Sequence, residues 1–213
     1  YSFAWNKNLC FNIINSIELE IGGNIIDRQY SLWLYFWNEL FETKEIQDNL
    51  KKICMLDSES YIYNNNYKKS ITVYVPLKFY FNRNIGLSLP LIAVRSQLIN
   101  INLKIEKLDK LIYTDSPDRL QKVIRLKNVT LLGKYIYLDQ DEREKIANSS
   151  HEYLIEQIHI INYYNKKNDE LTFELNINHP TKYLIWILQN DKHFKYNLYN
   201  IFGSDINYEL KDL

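Results

Sequence analysis

Apolar residues recur at every second position along much of this chain, the pattern of a strand that buries one face and shows the other to water. Ile17, Leu19 and Ile21 alternate with Glu18 and Glu20, and Gly22-Gly23 then supplies two residues able to take positive φ, as a tight hairpin turn requires. Ile99, Ile101, Leu103 and Ile105 alternate with Asn100, Asn102, Lys104 and Glu106 in the cleanest run. Leu77, Phe79 and Phe81, and later Phe173, Leu175 and Ile177, repeat the pattern, and Tyr183 to Leu188 is apolar on both faces, which predicts a strand buried on both.

Helical spacing is confined to connections. Tyr30, Trp33, Leu34, Trp37, Leu40 and Phe41 recur at intervals of three and four, and Ile46, Leu50 and Ile53 continue in the same way, predicting one or two helices between about Tyr30 and Cys54. Asp139 followed three residues later by Glu142 has the form of a capping box and predicts a short helix from Asp139 to Asn148. The tract Tyr61 to Lys69, with Asn64, Asn65 and Asn66 in succession, lacks periodicity and reads as an exposed loop. Many strands with helices only between them point to an antiparallel β-sandwich or barrel.

The remaining composition works by exclusion. Lysine and arginine (26) balance aspartate and glutamate (26), so no global basic field exists to gather phosphate backbones, and direct nucleic-acid binding is not expected. The most apolar stretch, Leu87 to Val94, is interrupted by Ser88 and Pro90 and falls far short of the roughly 20 apolar residues a spanning helix needs. Pro90 cannot donate to a ladder and suits an edge or a bulge. Cys10 and Cys54 are too few for a disulfide framework and point to a reduced compartment. Tyr1 opens the chain and Met55 is its only methionine, so the sequence is expected to be an excerpt of a longer protein.

Five stretches stand in order along the chain: Ile17 to Trp37 (IELEIGGNIIDRQYSLWLYFW), Val75 to Val94 (VPLKFYFNRNIGLSLPLIAV), Lys134 to Glu144 (KYIYLDQDERE), Ser150 to Ile160 (SHEYLIEQIHI) and Phe173 to Leu188 (FELNINHPTKYLIWIL). Together they resemble the major capsid protein of nucleocytoplasmic large DNA viruses, of the phycodnavirus, mimivirus and iridovirus type. Asn84-Ile85-Gly86 stands where that family often has Asn-Pro-Gly, and Ala93 to Gln97 departs from its usual Gln-Tyr-His-Glu run. The resemblance implies an all-β, double jelly-roll β-sandwich with short helices in the connections. It places residues 1–138 in a first jelly roll lacking its earliest strands, 139–150 in an inter-barrel linker with a short helix, and 151–213 in the incomplete start of a second. It also implies a structural protein of the virion, assembled in the host cytoplasm, whose partners are two copies of itself in a trimeric pseudo-hexagonal capsomer, neighbouring capsomers and minor capsid proteins. No cofactor is implied. On the same reading Trp33 and Trp37 close one end of the first barrel and Trp186 packs in the second, each buried ring contributing on the order of 2–3 kcal/mol.

No residue set carries catalysis, cofactor binding or metal ligation. His151-Glu152 begins like a zinc-protease helix, but Ile155 stands where the second histidine belongs. His159 and His179 are single histidines without metal spacing, and Glu18 and Glu20 are neighbours on one solvated strand face, not carboxylates opposed across a bond. Helix Tyr30 to Phe41 carries Glu39 and Glu42 on its polar face and almost no base, which favours core packing over membrane binding. Asn128 and Asn148 begin glycosylation sequons that matter only if the protein meets the enzyme. Two rival functions remain: a carbohydrate-binding jelly-roll module using Tyr61, Tyr63, Tyr163 and Tyr164, and a viral assembly scaffold of the same fold.

Overall fold

In the computed structural model, which describes residues 2–6, 8–54, 58–94, 97–114, 124–161, 172 and 174–187, the alternating run around Leu19 is the centre of the molecule. Strand β2 (Ile14–Ile21) pairs antiparallel with β3 (Asn24–Tyr30) on one side and β4 (Ile99–Ile105) on the other, giving the order β3-β2-β4. Gly22 and Gly23 adopt φ of 58° and 81° and close the β2–β3 hairpin, as two residues of left-handed backbone must for the strands to keep their twist. A second, two-stranded sheet joins β1 (Phe3–Trp5) to β5 (Ile112–Thr114). Both of its strands are too short to show a period in the sequence.

Register explains the layers. Residues directly opposite in antiparallel strands share a face. Ile21, Leu19 and Ile17 stand opposite Ile99, Ile101 and Leu103, and this apolar row is the core face. Glu18 and Glu20 stand on the other face, where Glu18 pairs with Arg28 at 2.6 Å and Glu20 accepts from Asn100 and Asn102 at 3.2 and 3.1 Å. The core gathers Cys10, Phe11, Ile14, Ile17, Leu19, Leu34, Leu50, Phe79 and Tyr80. Short helix α1 (Leu9–Asn12), buried throughout, contributes Cys10 and Phe11.

Helices α2 (Ser31–Phe41) and α3 (Lys44–Cys54) occupy the expected region, but only Leu34 and Asn38 of α2 are fully buried. Trp33 and Trp37 do not plug a barrel end. They meet edge-on at 5.8 Å in a half-buried cluster with Phe41, because the core lies against the side of the helix occupied by Leu34 and Asn38. On α3 Leu50 alone among the described side chains reaches the core, while Ile46 and Ile53 are exposed. Helix α4 (Tyr80–Arg83) and then α5 (Gln140–Asn148) follow along the chain. The Asp139 carboxylate accepts from the Glu142 backbone N–H at 2.9 Å and caps α5, as the spacing predicts.

Several expected strands are corrected. Val73, Val75, Leu77 and Phe79 turn inward in alternation, yet they form no strand, and at Tyr80 the chain enters α4 because Tyr80 is buried next to Phe79. Pro90 does not sit at a strand edge or bulge: its carbonyl accepts from Ala93 and Val94, so it opens a turn. Leu175, Ile177 and residues 183–187 belong to no strand among the described residues, and Phe173 and Leu188 lie outside them. Trp186 is 80% exposed and Leu184 is exposed as well, since no described strand lies over them; Tyr183 stacks on Phe41 at 5.1 Å. The departure at Asn84 is a local turn, with the Asn84 side chain accepting from Gly86 N–H at 2.9 Å ahead of a 3-10 turn at Ile85–Leu87. Tyr61 to Lys69 is mainly loop, joined to β1 by a backbone bridge between Phe3 and Asn64 and by the Lys68 ammonium over the Phe3 ring.

Candidate functional site

The candidate chemistry weighed in the sequence is dispersed. Glu18 and Glu20 are occupied by Arg28 and by Asn100 and Asn102, as above. His151 Nε2 lies 2.7 Å from the Ile146 carbonyl and its ring stacks on Tyr153, which ties the end of α5 to the segment after it. His159 and His179 are exposed, and no group of three or more His, Cys, Asp or Glu among the described residues is placed to hold a metal. Cys10 is buried in the core. Of the tyrosines considered for glycan binding, Tyr61 packs against Leu9 and Leu111, Tyr63 is half-buried, and Tyr163 and Tyr164 lie outside the described residues.

What the fold does bring together is a polar seam. Leu19 stands opposite Asp27 and Ile17 opposite Gln29, so β3 presents an aspartate and a glutamine on the core face of the sheet, where β4 presents isoleucine and leucine. Asp27 is 3% exposed and Gln29 0%. Buried polar groups demand partners. Gln29 Nε2 donates to Asp27 at 2.9 Å, and the backbone N–H of Ile158 donates to the other Asp27 oxygen at 3.3 Å. Next to it, the register skips Ile26: Leu19 faces Asp27 and Glu20 faces Ile25, so Ile26 is the extra residue of a β-bulge. Its carbonyl accepts from the Gln157 side chain.

An ionic chain flanks this contact. Arg83 Nη1 lies 2.5 Å from Glu156 Oε2, and Lys182 Nζ lies 2.7 Å from Glu156 Oε1. Arg83 is itself held by the Lys78 carbonyl at 2.9 Å and by the Trp37 ring, 4.4 Å from the guanidinium carbon. Burial pushes the Asp27 carboxyl above the ordinary carboxylate range, against the opposing pull of Gln29, the Ile158 and Arg28 backbones and Arg83. Lys182, helped by Arg83, holds the Glu156 carboxyl below that range. Sequence reasoning missed this seam, although the polar identity of Asp27 and Gln29 at strand positions opposite apolar residues was a usable signal.

A third feature is apolar and uncovered. Residues 124–137 form neither helix nor strand, and Leu131, Leu132, Tyr135 and Ile136 are exposed, with Tyr137 93% exposed.

Geometry of this kind defines a packing module: its charged groups join one stretch of chain to another, and its unspent surface is apolar. The model for the N-terminus of major capsid proteins matches residues 1–139, and the model for the large eukaryotic DNA virus major capsid protein matches residues 142–211. The chain belongs to the large eukaryotic DNA virus major capsid protein family. It is 36% identical to capsid protein 1 of Acanthamoeba polyphaga mimivirus over 87% of this chain and 33% of that protein. It is 39% identical to the major capsid protein of Pyramimonas orientalis virus over 82% of this chain and 42% of the relative. Among solved structures, the PBCV-1 virus capsid quasi-atomic model is similar with a TM-score of 0.54 and 26% identity, covering 73% of this chain and 37% of that one. The chain thus spans well under half the length of these relatives, and its fold is the sheet-rich, helix-connected fold of viral capsid proteins.

Proposed function

We propose that this chain is part of a structural, non-enzymatic capsid subunit whose mechanism is self-assembly into trimeric pseudo-hexagonal capsomers of an icosahedral large-DNA-virus shell. Two jelly rolls account for the two matched regions, with residues 1–138 in the first, 139–150 in the linker and 151–213 in the second. The observation that carries this reading is the ordered match of both capsid models along nearly the whole sequence. Closed rings of identical subunits need rigid bodies with complementary edges, and a sheet built on β2 with neighbours on both sides is such a body. Its place is the virion, after assembly in the host cytoplasm, beside neighbouring capsomers and minor capsid proteins.

Quantitative mass spectrometry of purified virions, followed by chemical cross-linking of intact particles, tests the proposal. The expected result is that peptides of this sequence rank among the most abundant in the particle and cross-link between copies as trimers. Depletion from mature particles would identify a scaffold instead. A monomer that keeps glycan affinity would identify a carbohydrate-binding module.

A further inference from the structure

We propose that Asp27, Gln29 and the Ile26 bulge of β3, with Arg83, form a clasp that fixes residues 155–158 against β3 and so joins the two family-matched regions into one rigid body. The clasp does not depend on the capsid reading, since it rests on contacts within this chain. Every residue on its near side lies within 1–139 and every residue on its far side within 142–211.

Several observations converge on it. The core face of β3 is polar where the core face of β4 is apolar, and a strand buried in that way is destabilised unless something supplies hydrogen bonds. What supplies one of them is a backbone amide from the other region, Ile158 N–H on Asp27. A carbonyl released from the ladder by the bulge is taken by Gln157, one residue earlier. Glu156, the next residue back, reaches Arg83 and Lys182, and Ile155 packs against the core. Four consecutive residues of the second region therefore each make a different contact, three of them with the first region's hydrogen-bonding or charged groups. The stretch fits β3 as a strap fits a buckle, and it makes those contacts without forming a regular ladder.

Hydrogen exchange of the full 213-residue chain, read by mass spectrometry, tests the clasp. In Asp27→Ala, amides of 155–158 are expected to exchange at least tenfold faster than in the parent chain, while β2 amides keep their protection. Should Asp27→Ala lose protection everywhere, Gln157→Ala decides, because Gln157 is exposed and its loss leaves the core intact. The same tenfold acceleration confined to 155–158 supports the clasp. Unchanged exchange at 155–158 in Gln157→Ala, or exchange there in the parent chain as fast as in the 62–69 loop, overturns it.

Discussion

Asp27 is where the chemistry of single residues is most exposed to measurement. Its carboxyl is raised by burial, so the charged form is the one the fold disfavours. The stability linked to Asp27 is therefore fully present below the ordinary carboxylate value and is lost as pH rises through the raised one. Asp27→Asn removes that dependence. Its Oδ1 still accepts from Ile158, and its new amide can meet Gln29 Oε1, which has no partner among the described residues, once the Gln29 amide turns over. The expected outcome at pH 7 is a variant as stable as the parent or more so, by about 1 kcal/mol, with the gap closing as pH falls toward 4; urea midpoints at both values check it, and a loss above about 2 kcal/mol would contradict it. Glu156 has the opposite sign: its lowered carboxyl gives stability that is present above the ordinary value and lost as pH falls through the lowered one. Glu156→Gln should therefore flatten the acid limb by lowering stability at neutral pH while leaving it unchanged in acid, which urea midpoints at pH 7 and pH 3 check.

At the scale of elements, legibility followed one-sided burial. β2, β4, the Gly22-Gly23 turn, both helices after Tyr30 and α5 with its Asp139 cap stand where periodicity and cap chemistry place them. Alternation, however, reports which side of an extended chain is covered, and says nothing of whether a ladder forms. Residues 73–79 alternate and pack inward yet stay outside both sheets. The same limit hid the seam, because no periodicity assigns Asp27 and Gln29 to a face, and only the register puts them opposite Leu19 and Ile17. Two substitutions test the legible elements. Gly22→Ala places a Cβ 3.1 Å from Gln97 at a φ of +58°, and a destabilisation of about 1–2 kcal/mol is expected from chemical denaturation. Asp139→Ala removes the acceptor for Glu142 N–H and should cost α5 about 1 kcal/mol, seen as faster exchange of its first-turn amides with no change in β4.

For the whole molecule, family membership is legible through five dispersed stretches in order, while composition and spacing alone reach only a β-sandwich or barrel class. The uncovered side is the part no local pattern announces. Leu131, Leu132, Tyr135 and Ile136 form a run of exposed apolar residues, and Leu154 is 92% exposed. Apolar surface of this extent binds hydrophobic dyes and associates. The chain in isolation is expected to enhance dye fluorescence at neutral pH and to self-associate with rising concentration in sedimentation velocity. A concentration-independent monomer without dye response would mean that this surface is covered by the chain itself.

The skipped position at Ile26 carries one more implication, for how such a chain can change length over time. Loop 62–69 can gain or lose residues with little effect, because among the described residues it meets β1 through one backbone bridge, Phe3 to Asn64, and the Lys68 ammonium over the Phe3 ring. Deleting Ile26 would instead restore an unbroken hairpin and, in the same stroke, withdraw the carbonyl that Gln157 reaches. At that spot the count of residues matters more than their identity, and a one-codon deletion would do more harm than most replacements.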